Sequence, residues 1–318
     1  MSLKDSSKGN LLPNCEKSFS LTCKSNQCTE ADMSNQQYTD VDGNIKRGWL
    51  DRDFRFFHLR DQKKQEFESH YHDFDKIIIF LSGKVTYVVE GKSYYLKPWD
   101  VLLVKHHAVH KPVIDSSVPY ERIVIWINPE FIASHSTENA DLTSCFRLSD
   151  NNNINLIRLQ SDLLGGFRNL LTDLEKAVDS DEFAAPLLSN ALFIQFIILL
   201  NRLILSGQNA VTPSAYGSNR HIEEVLRYIN GNLDKDLSIQ RLSEQFFLSR
   251  SYLMHCFREE TGYTIHNYIL QKRLLYASDL IQTGVPITEA CFRCGFQDYS
   301  TFSRAYRKLF GTSPRNNK

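Results

Sequence analysis

The hydrophobic positions of this chain change period twice. From Trp49 to Ile127 the apolar residues alternate with polar ones or run in short β-branched blocks, the pattern of strands. Arg52–Leu59, Lys76–Leu81, Val85–Val89, Ser93–Leu96, Val101–Val104 and Glu121–Ile127 are the predicted strands. Ser82-Gly83, Glu90-Gly91-Lys92 and Pro98-Trp99-Asp100 supply the turns between them. Short strands at such spacing predict a small barrel or sandwich. From Asn155 the spacing becomes helical, through Leu156, Leu159, Leu163 and Leu164, then Leu170, Leu171 and Leu174. A second helix, Ala184–Leu205, is apolar nearly all round and therefore must be covered. Its cover is either its own barrel or, as we expect, a second copy of the chain.

Ser206–Ser218 is rich in Ser, Gly, Asn, Thr and Pro and reads as a linker. Beyond it the chain is helical to the end. Residues 1–45 are polar and without period, a tail expected to be disordered. Met33 is an alternative start, and Met1–Asn10 lacks the pattern of a signal peptide. The expected divisions are thus 1–45 tail, 46–150 barrel, 151–206 helical dimerisation segment, 207–218 linker and 219–318 C-terminal helical domain.

The chain has 318 residues, 37 basic and 37 acidic. That balance hides an asymmetry. Residues 219–318 hold 14 Lys and Arg against 10 Asp and Glu, a basic portion on an acidic body. This is a mild pointer to a polyanionic partner. No run of about 18 uncharged apolar residues exists, so no membrane partner is expected and a cytoplasmic location is. Cys291 and Cys294 form a C-x-x-C within a helical pattern; no second pair follows, and small core residues are the reading preferred over a redox or zinc motif. Cys15, Cys23 and Cys28 sit irregularly in the tail, where a zinc site would lack a fourth ligand.

The C-terminal hundred residues repeat themselves. Ser238–Gly262 and Pro286–Gly311 read alike at an offset of 48 to 49 residues. Each is a helix of about eight residues, a turn and a helix of about twelve, the helix-turn-helix pattern. Ser249 and Asp298 are good N-caps for the two longer helices. In the first, Leu253 and Phe257 form the apolar stripe, so Ser251, Met254, His255 and Arg258 share another face. In the second, Phe302, Tyr306 and Leu309 form the stripe, and Ser300, Ser303, Arg304 and Arg307 share the corresponding face. Both faces offer donors for base edges and phosphates. Thr264–Gln282, between the units, has no internal Gly or Pro and spans about 28 Å as a helix. Adjacent major grooves on one DNA face lie about 34 Å apart, so a rigid helix of that length can serve two grooves.

Through LSRSYLMHCFREETG (248–262), YILQKRLLYASDLIQTG (268–284), ITEACFRCGF (287–296) and YSTFSRAYRKLFGTSP (299–314), the chain resembles the AraC/XylS family of transcription regulators. The resemblance implies base contacts from Ser251, Met254 and His255 in the first reading helix and from Tyr299, Ser300, Thr301, Ser303 and Arg304 in the second. It implies phosphate contacts from Arg250, Arg307 and Lys308. Phe247 departs from the family, standing where Gly is usual in the first turn. His70-Tyr71-His72, the Pro98-Trp99-Asp100 turn and His110 look like the cupin-type sensor barrel of that family, with Trp99 in place of the usual Gly.

His70, His72, Tyr87 and His110 are the ligand-binding candidates. A metal would take the three histidines, but Lys76 sits where a family Glu often lies, so neither metal nor cofactor is expected. The expected architecture is α+β: a cupin-like β-barrel with a helical dimerisation segment, then an all-α domain of two helix-turn-helix units. The expected function is a homodimeric, non-enzymatic regulator of double-stranded DNA, controlled by a small molecule for which the resemblance points to a sugar. RNA polymerase is a partner if the regulator activates. A metal-dependent cupin enzyme fused to a DNA-binding domain is the alternative.

Overall fold

The computed structural model describes residues 50–62, 67–147, 155–206 and 219–316, together with the backbone of strands at 37–39, 45–47 and 210–211. Strands β1 (Gln37–Thr39) and β2 (Ile45–Arg47) pair antiparallel, so the tail expected to be unstructured contains a short ladder. The rest of that tail, Cys15, Cys23, Cys28 and Met33 included, lies outside the described residues.

The strands that follow are β3 (Phe54–Asp61), β4 (Asp75–Ser82), β5 (Val85–Val89), β6 (Lys92–Tyr95), β7 (Asp100–Val104), β8 (His110–Ile114) and β9 (Tyr120–Ile127). Helix α1 (Pro129–Ser134) leads to β10 (Leu156–Arg158), α2 (Ser161–Val178), α3 (Ala185–Leu205) and β11 (Ala210–Val211). They form two sheets, one of six strands in the order β11-β10-β7-β4-β9-β3 and one of three in the order β6-β5-β8. The expected small barrel or sandwich is built from these two facing sheets.

The larger sheet is buried on both faces, which accounts for its near-continuous apolar strands. Ile78, Phe80, Leu102, Val104, Val124 and Trp126 point toward the smaller sheet. Their neighbours Ile77, Ile79, Val101, Leu103 and Ile125 point the other way, onto Phe167, Leu171, Leu174, Phe193, Phe196, Ile197 and Leu200 of α2 and α3. The two helices thus find cover on their own sheet. The outer side of α3 stays open: Leu187 is 71% exposed and Leu205 is 66% exposed.

Three expectations need correction here. Leu156–Arg158 does not begin a helix; it is β10, paired with β7, and the helix starts only at Ser161. Segment 151–206 therefore contributes a strand to the sheet as well as its helices. Ala210–Val211, inside the expected linker, pairs with β10 as an edge strand, and the other residues from 207 to 218 lie outside those described.

Seven further elements follow among the described residues: α4 (Arg220–Gly231), α5 (Ile239–Gln245), α6 (Arg250–Thr261), α7 (Ile265–Gln282), α8 (Ile287–Arg293), α9 (Tyr299–Phe310) and a 3₁₀ turn at Pro314–Asn316. α5 and α6 pack with α4 and the first half of α7. α8 and α9 pack with its second half. Cys291 and Cys294 are fully buried in that second core, and burial pushes the Cys294 thiol up to about 12, which leaves it inert.

Candidate DNA-reading faces and effector site

The sequence places a cap before each reading helix, and both caps form. Ser249 Oγ accepts the Tyr252 amide at 3.2 Å, and Asp298 Oδ1 accepts the Thr301 amide at 2.7 Å. Gly262 and Gly311 close the two helices at φ +79° and +73°. Leu253 and Phe257, and likewise Phe302 and Tyr306, are buried stripes. On the opposite faces Arg250, Ser251, Met254, His255 and Arg258 are all exposed. So are Ser300, Thr301, Arg304, Arg307 and Lys308, while Tyr299 and Ser303 are half-buried. His255 Nδ1 lies 3.1 Å from the Glu259 carboxylate, one turn on along the helix. Arg304 folds back on its own helix, Nε to the Ser300 carbonyl at 3.3 Å.

The two turns solve one geometric problem differently. Gly295 has φ +84°, and a Cβ there would come within 2.2 Å of the Leu233 carbonyl oxygen. Only glycine fits. Phe247, at the corresponding place, has φ +55° with its ring 94% exposed, so the first unit tolerates a strained residue in open space.

Between the sheets the four ligand candidates meet. His70, His72, Tyr87 and His110 are all buried. Paired amides join His70 to His110, and their rings lie 4.4 Å apart, with His72 4.7 Å and Tyr87 6.1 Å from His110. Each imidazole is oriented by its own backbone. Nδ1 lies 3.0 Å from Glu68 O for His70, 2.6 Å from Phe74 O for His72 and 2.9 Å from Ala108 O for His110. Nδ1 therefore carries the proton and Nε2 is the acceptor. Burial holds His72 and His110 well below the usual imidazole range, so both are neutral. His72 Nε2, His110 Nε2 and Trp126 Nε1 are buried without a hydrogen-bond partner. Each such atom costs about 1–3 kcal/mol until a partner satisfies it.

Sequence reasoning placed Lys76 beside the histidines but not among the ligand candidates, and it missed Trp126. Lys76 is buried and its charge bears on both His72 and His110. Trp126 offers the indole donor, with Phe74 stacked on it at 4.5 Å and on His72 at 4.2 Å. The alternating pattern of β4 and β9 carried the signal: Lys76 and Trp126 share a face and are directly paired. A buried ammonium beside the histidines opposes a metal cation, and Asp75 points elsewhere, accepting from His106 at 2.7 Å. The three histidines do not fit a cupin metal centre. Trp99 adopts φ +70° in its turn, and Arg168 of α2 covers its ring at 4.2 Å.

A second missed feature joins the sheets to the helices. Glu90 and Gly91, with φ +48° and +75°, form the two-residue turn between β5 and β6. The Glu90 carboxylate accepts from Lys272 Nζ at 2.7 Å, from the Val109 amide at 2.7 Å, from Asn230 at 3.3 Å and from the Tyr268 hydroxyl. Lys272 also donates to the His107 carbonyl at 2.9 Å. Val109, next to His110, is packed in the core of the first helix-turn-helix unit. His107 donates its amide to the His72 carbonyl at 2.8 Å. The histidine cluster is thus one residue, or one hydrogen bond, from the groups that hold α7.

Residues 56–197 match the AraC-like ligand-binding domain, and residues 242–317 match a helix-turn-helix domain. The chain is similar to the HTH-type transcriptional activator RhaR of Enterobacter sp. (strain 638), 24% identical over 250 residues, 78% of this chain and 86% of that one. It is similar to the HTH-type transcriptional activator RhaS of Salmonella schwarzengrund (strain CVM19633), 26% identical over 254 residues, 79% of this chain and 87% of that one. Among solved structures, ToxT from Vibrio cholerae is 18% identical, covering 83% of this chain and 97% of its own, at a TM-score of 0.33. A ligand-binding sheet domain joined in one chain to paired helix-turn-helix units makes this protein a DNA-binding transcription regulator of the AraC family.

Proposed function

We propose that the protein is a transcriptional activator whose grip on DNA is set by a polyhydroxylated, sugar-like effector held between the two sheets. The observation that carries this reading is the buried set of unpaired polar atoms: two Nε2 acceptors and one indole donor, beside an ammonium. A polyol supplies both hydroxyl donors and oxygen acceptors to such a set, and its C–H face suits the Phe74–Trp126 stack. In this reading the cluster is a binding site, its unpaired atoms satisfied by the effector's hydroxyls.

In this reading Ser251, Met254 and His255 of α6 and Tyr299, Ser300, Thr301, Ser303 and Arg304 of α9 face base edges. Arg250, Arg258, Arg307 and Lys308 face phosphates. α7 sets the separation of the two units. The open side of α3, with Leu187, Leu188 and Leu205, seats a second copy, so that four reading helices address paired half-sites. The regulator acts in the cytoplasm and meets RNA polymerase there. Effector contacts at His72 and His110 reach α7 through the His107 and Glu90 contacts and bias how the reading helices are presented.

The test is thermodynamic linkage. A panel of free monosaccharides is screened against the full-length protein by thermal unfolding, where a binder raises Tm. Its affinity is then measured with and without operator DNA. The coupling is reciprocal, so a true effector binds differently in the two cases. A monosaccharide that binds with the same affinity in both contradicts the proposal, and so does a panel in which none binds.

A further inference from the structure

We propose that His106, His107 and Asp279 form a divalent-metal site of the zinc type that ties the sheet domain to the helix joining the two DNA-reading units. One ligand atom from each lies within 4.8 Å of the other two. His106 and His107 follow β7, whereas Asp279 lies on α7, so the site spans the two halves of the protein. All three side chains line one cavity of about 830 Å³ at the junction.

The details match what a metal requires of its surroundings. His106 Nδ1 is bonded to the buried Asp75 carboxylate at 2.7 Å, and Asp75 also accepts the His106 amide at 2.7 Å. A carboxylate on the far nitrogen is the arrangement that fixes a ligating histidine and raises its basicity. It leaves Nε2 facing Asp279 Oδ2 across 4.0 Å, too far for a hydrogen bond. Ligand atoms about 2.0–2.1 Å from a tetrahedral zinc sit roughly 3.4 Å apart, so closure by about half an ångström completes the pair. His107 is held at φ +66°, a strained conformation for a non-glycine residue, with its ring edge-on to His106 at 4.9 Å. Strain of this kind concentrates at functional positions. Asp73, 3.6 Å from His107 Nε2, adds a further carboxylate; the cations on the same cavity are Lys105, Arg293 and Lys272, the last already paired with Glu90 at 2.7 Å. Two imidazoles, a carboxylate and one position left for water form a donor set that suits zinc.

The experiment uses the full-length protein and the metal alone. Metal-free protein is titrated with Co²⁺, whose visible bands report tetrahedral nitrogen and oxygen ligation, and competed with Zn²⁺. The expected result is one Co²⁺ per chain, displaced by Zn²⁺. Asp279→Asn, a substitution of a partly exposed residue with its shape retained, weakens binding at least about 100-fold, and Asp75→Asn weakens it about 10–100-fold. His255→Ala, at the His255–Cys256–Glu259 group of α6, leaves it unchanged. The proposal is overturned if the wild type binds no Co²⁺ at micromolar concentration. It is equally overturned if Asp279→Asn, with an unchanged circular dichroism spectrum, binds as tightly as wild type, or if binding is lost in His255→Ala.

Discussion

Charge neutralisation at Glu90 and Lys272 gives the sharpest prediction, because both groups are desolvated at the junction. Their side chains are 12% and 15% exposed, and they meet at 2.7 Å. Two unit charges at that distance attract by roughly 6 kcal/mol at an effective dielectric constant of about 20. Desolvation offsets more than half, leaving a coupling of about 2–3 kcal/mol. Lys272→Met retains the stem and removes the charge. It leaves Glu90 with Tyr268, Asn230 and the Val109 amide as partners, so we expect a loss of about 2–4 kcal/mol, below the usual 3–5 for a fully orphaned buried charge. At 1.4 kcal/mol per tenfold, that changes the ratio of docked to undocked helices by roughly 30- to 1000-fold. Glu90→Gln, Lys272→Met and the double variant complete a cycle with wild type, read by urea unfolding of the full-length proteins. Each single variant is also expected to bind operator DNA with an affinity that no longer responds to effector. A measured coupling below about 0.5 kcal/mol, the range of exposed pairs, would refute the claim that this contact holds the domains together.

Phe247→Gly relieves a left-handed residue worth about 1–2 kcal/mol and adds about 0.4–1 kcal/mol of unfolded-chain entropy, so it stabilises by about 0.5–1 kcal/mol in urea unfolding. Gly295→Ala does the reverse: with the Leu233 carbonyl in the way, it destabilises by at least about 2 kcal/mol. His110→Leu removes a buried unpaired acceptor, so Tm is retained or raised while the response to effector in a reporter assay is lost. Arg304→Ala costs about 1–3 kcal/mol of DNA affinity and relaxes preference at one base position, whereas Arg307→Ala weakens all sequences alike and lowers the salt slope by about one. Equal losses on every sequence for Arg304→Ala would make it a phosphate contact.

How far the sequence revealed this architecture follows from how local each signal is. The helix-turn-helix units were legible because caps, stripes and spacing all lie within a dozen residues; α6 and α9 start at the caps Ser249 and Asp298 that the sequence offers, and Ser238 and Thr264 cap α5 and α7 in the same way. β8 was missed because Pro112 interrupts it. Proline is tolerated there because β8 is the edge of its sheet. β10 was read as helix because Leu156, Ile157 and Leu159 form a short apolar run that both periods accommodate, and pairing with β7 decided it. The histidine cluster was visible in part, since His70 and His72 alternate onto one face. Lys76 and Trp126 join it only through the pairing of β4 with β9, 50 residues apart in sequence. Glu90 reads locally as an ordinary turn residue. Its partners Asn230, Tyr268 and Lys272 lie 140 to 182 residues away, and no local pattern announces contacts of that range.

The most direct test of the central claim is selection of bound duplexes from a random DNA pool by the full-length protein at near-physiological salt. Two reading helices separated by the 18 residues of α7 predict a motif with two contacted blocks about one helical turn apart, in adjacent major grooves. Enrichment of such a motif, with preference relaxed at one base position when Arg304 is replaced by Ala, is the expected result. Recovery of one isolated block whose base preference is unchanged in Arg304→Ala, or of no motif with or without the effector, would contradict the account.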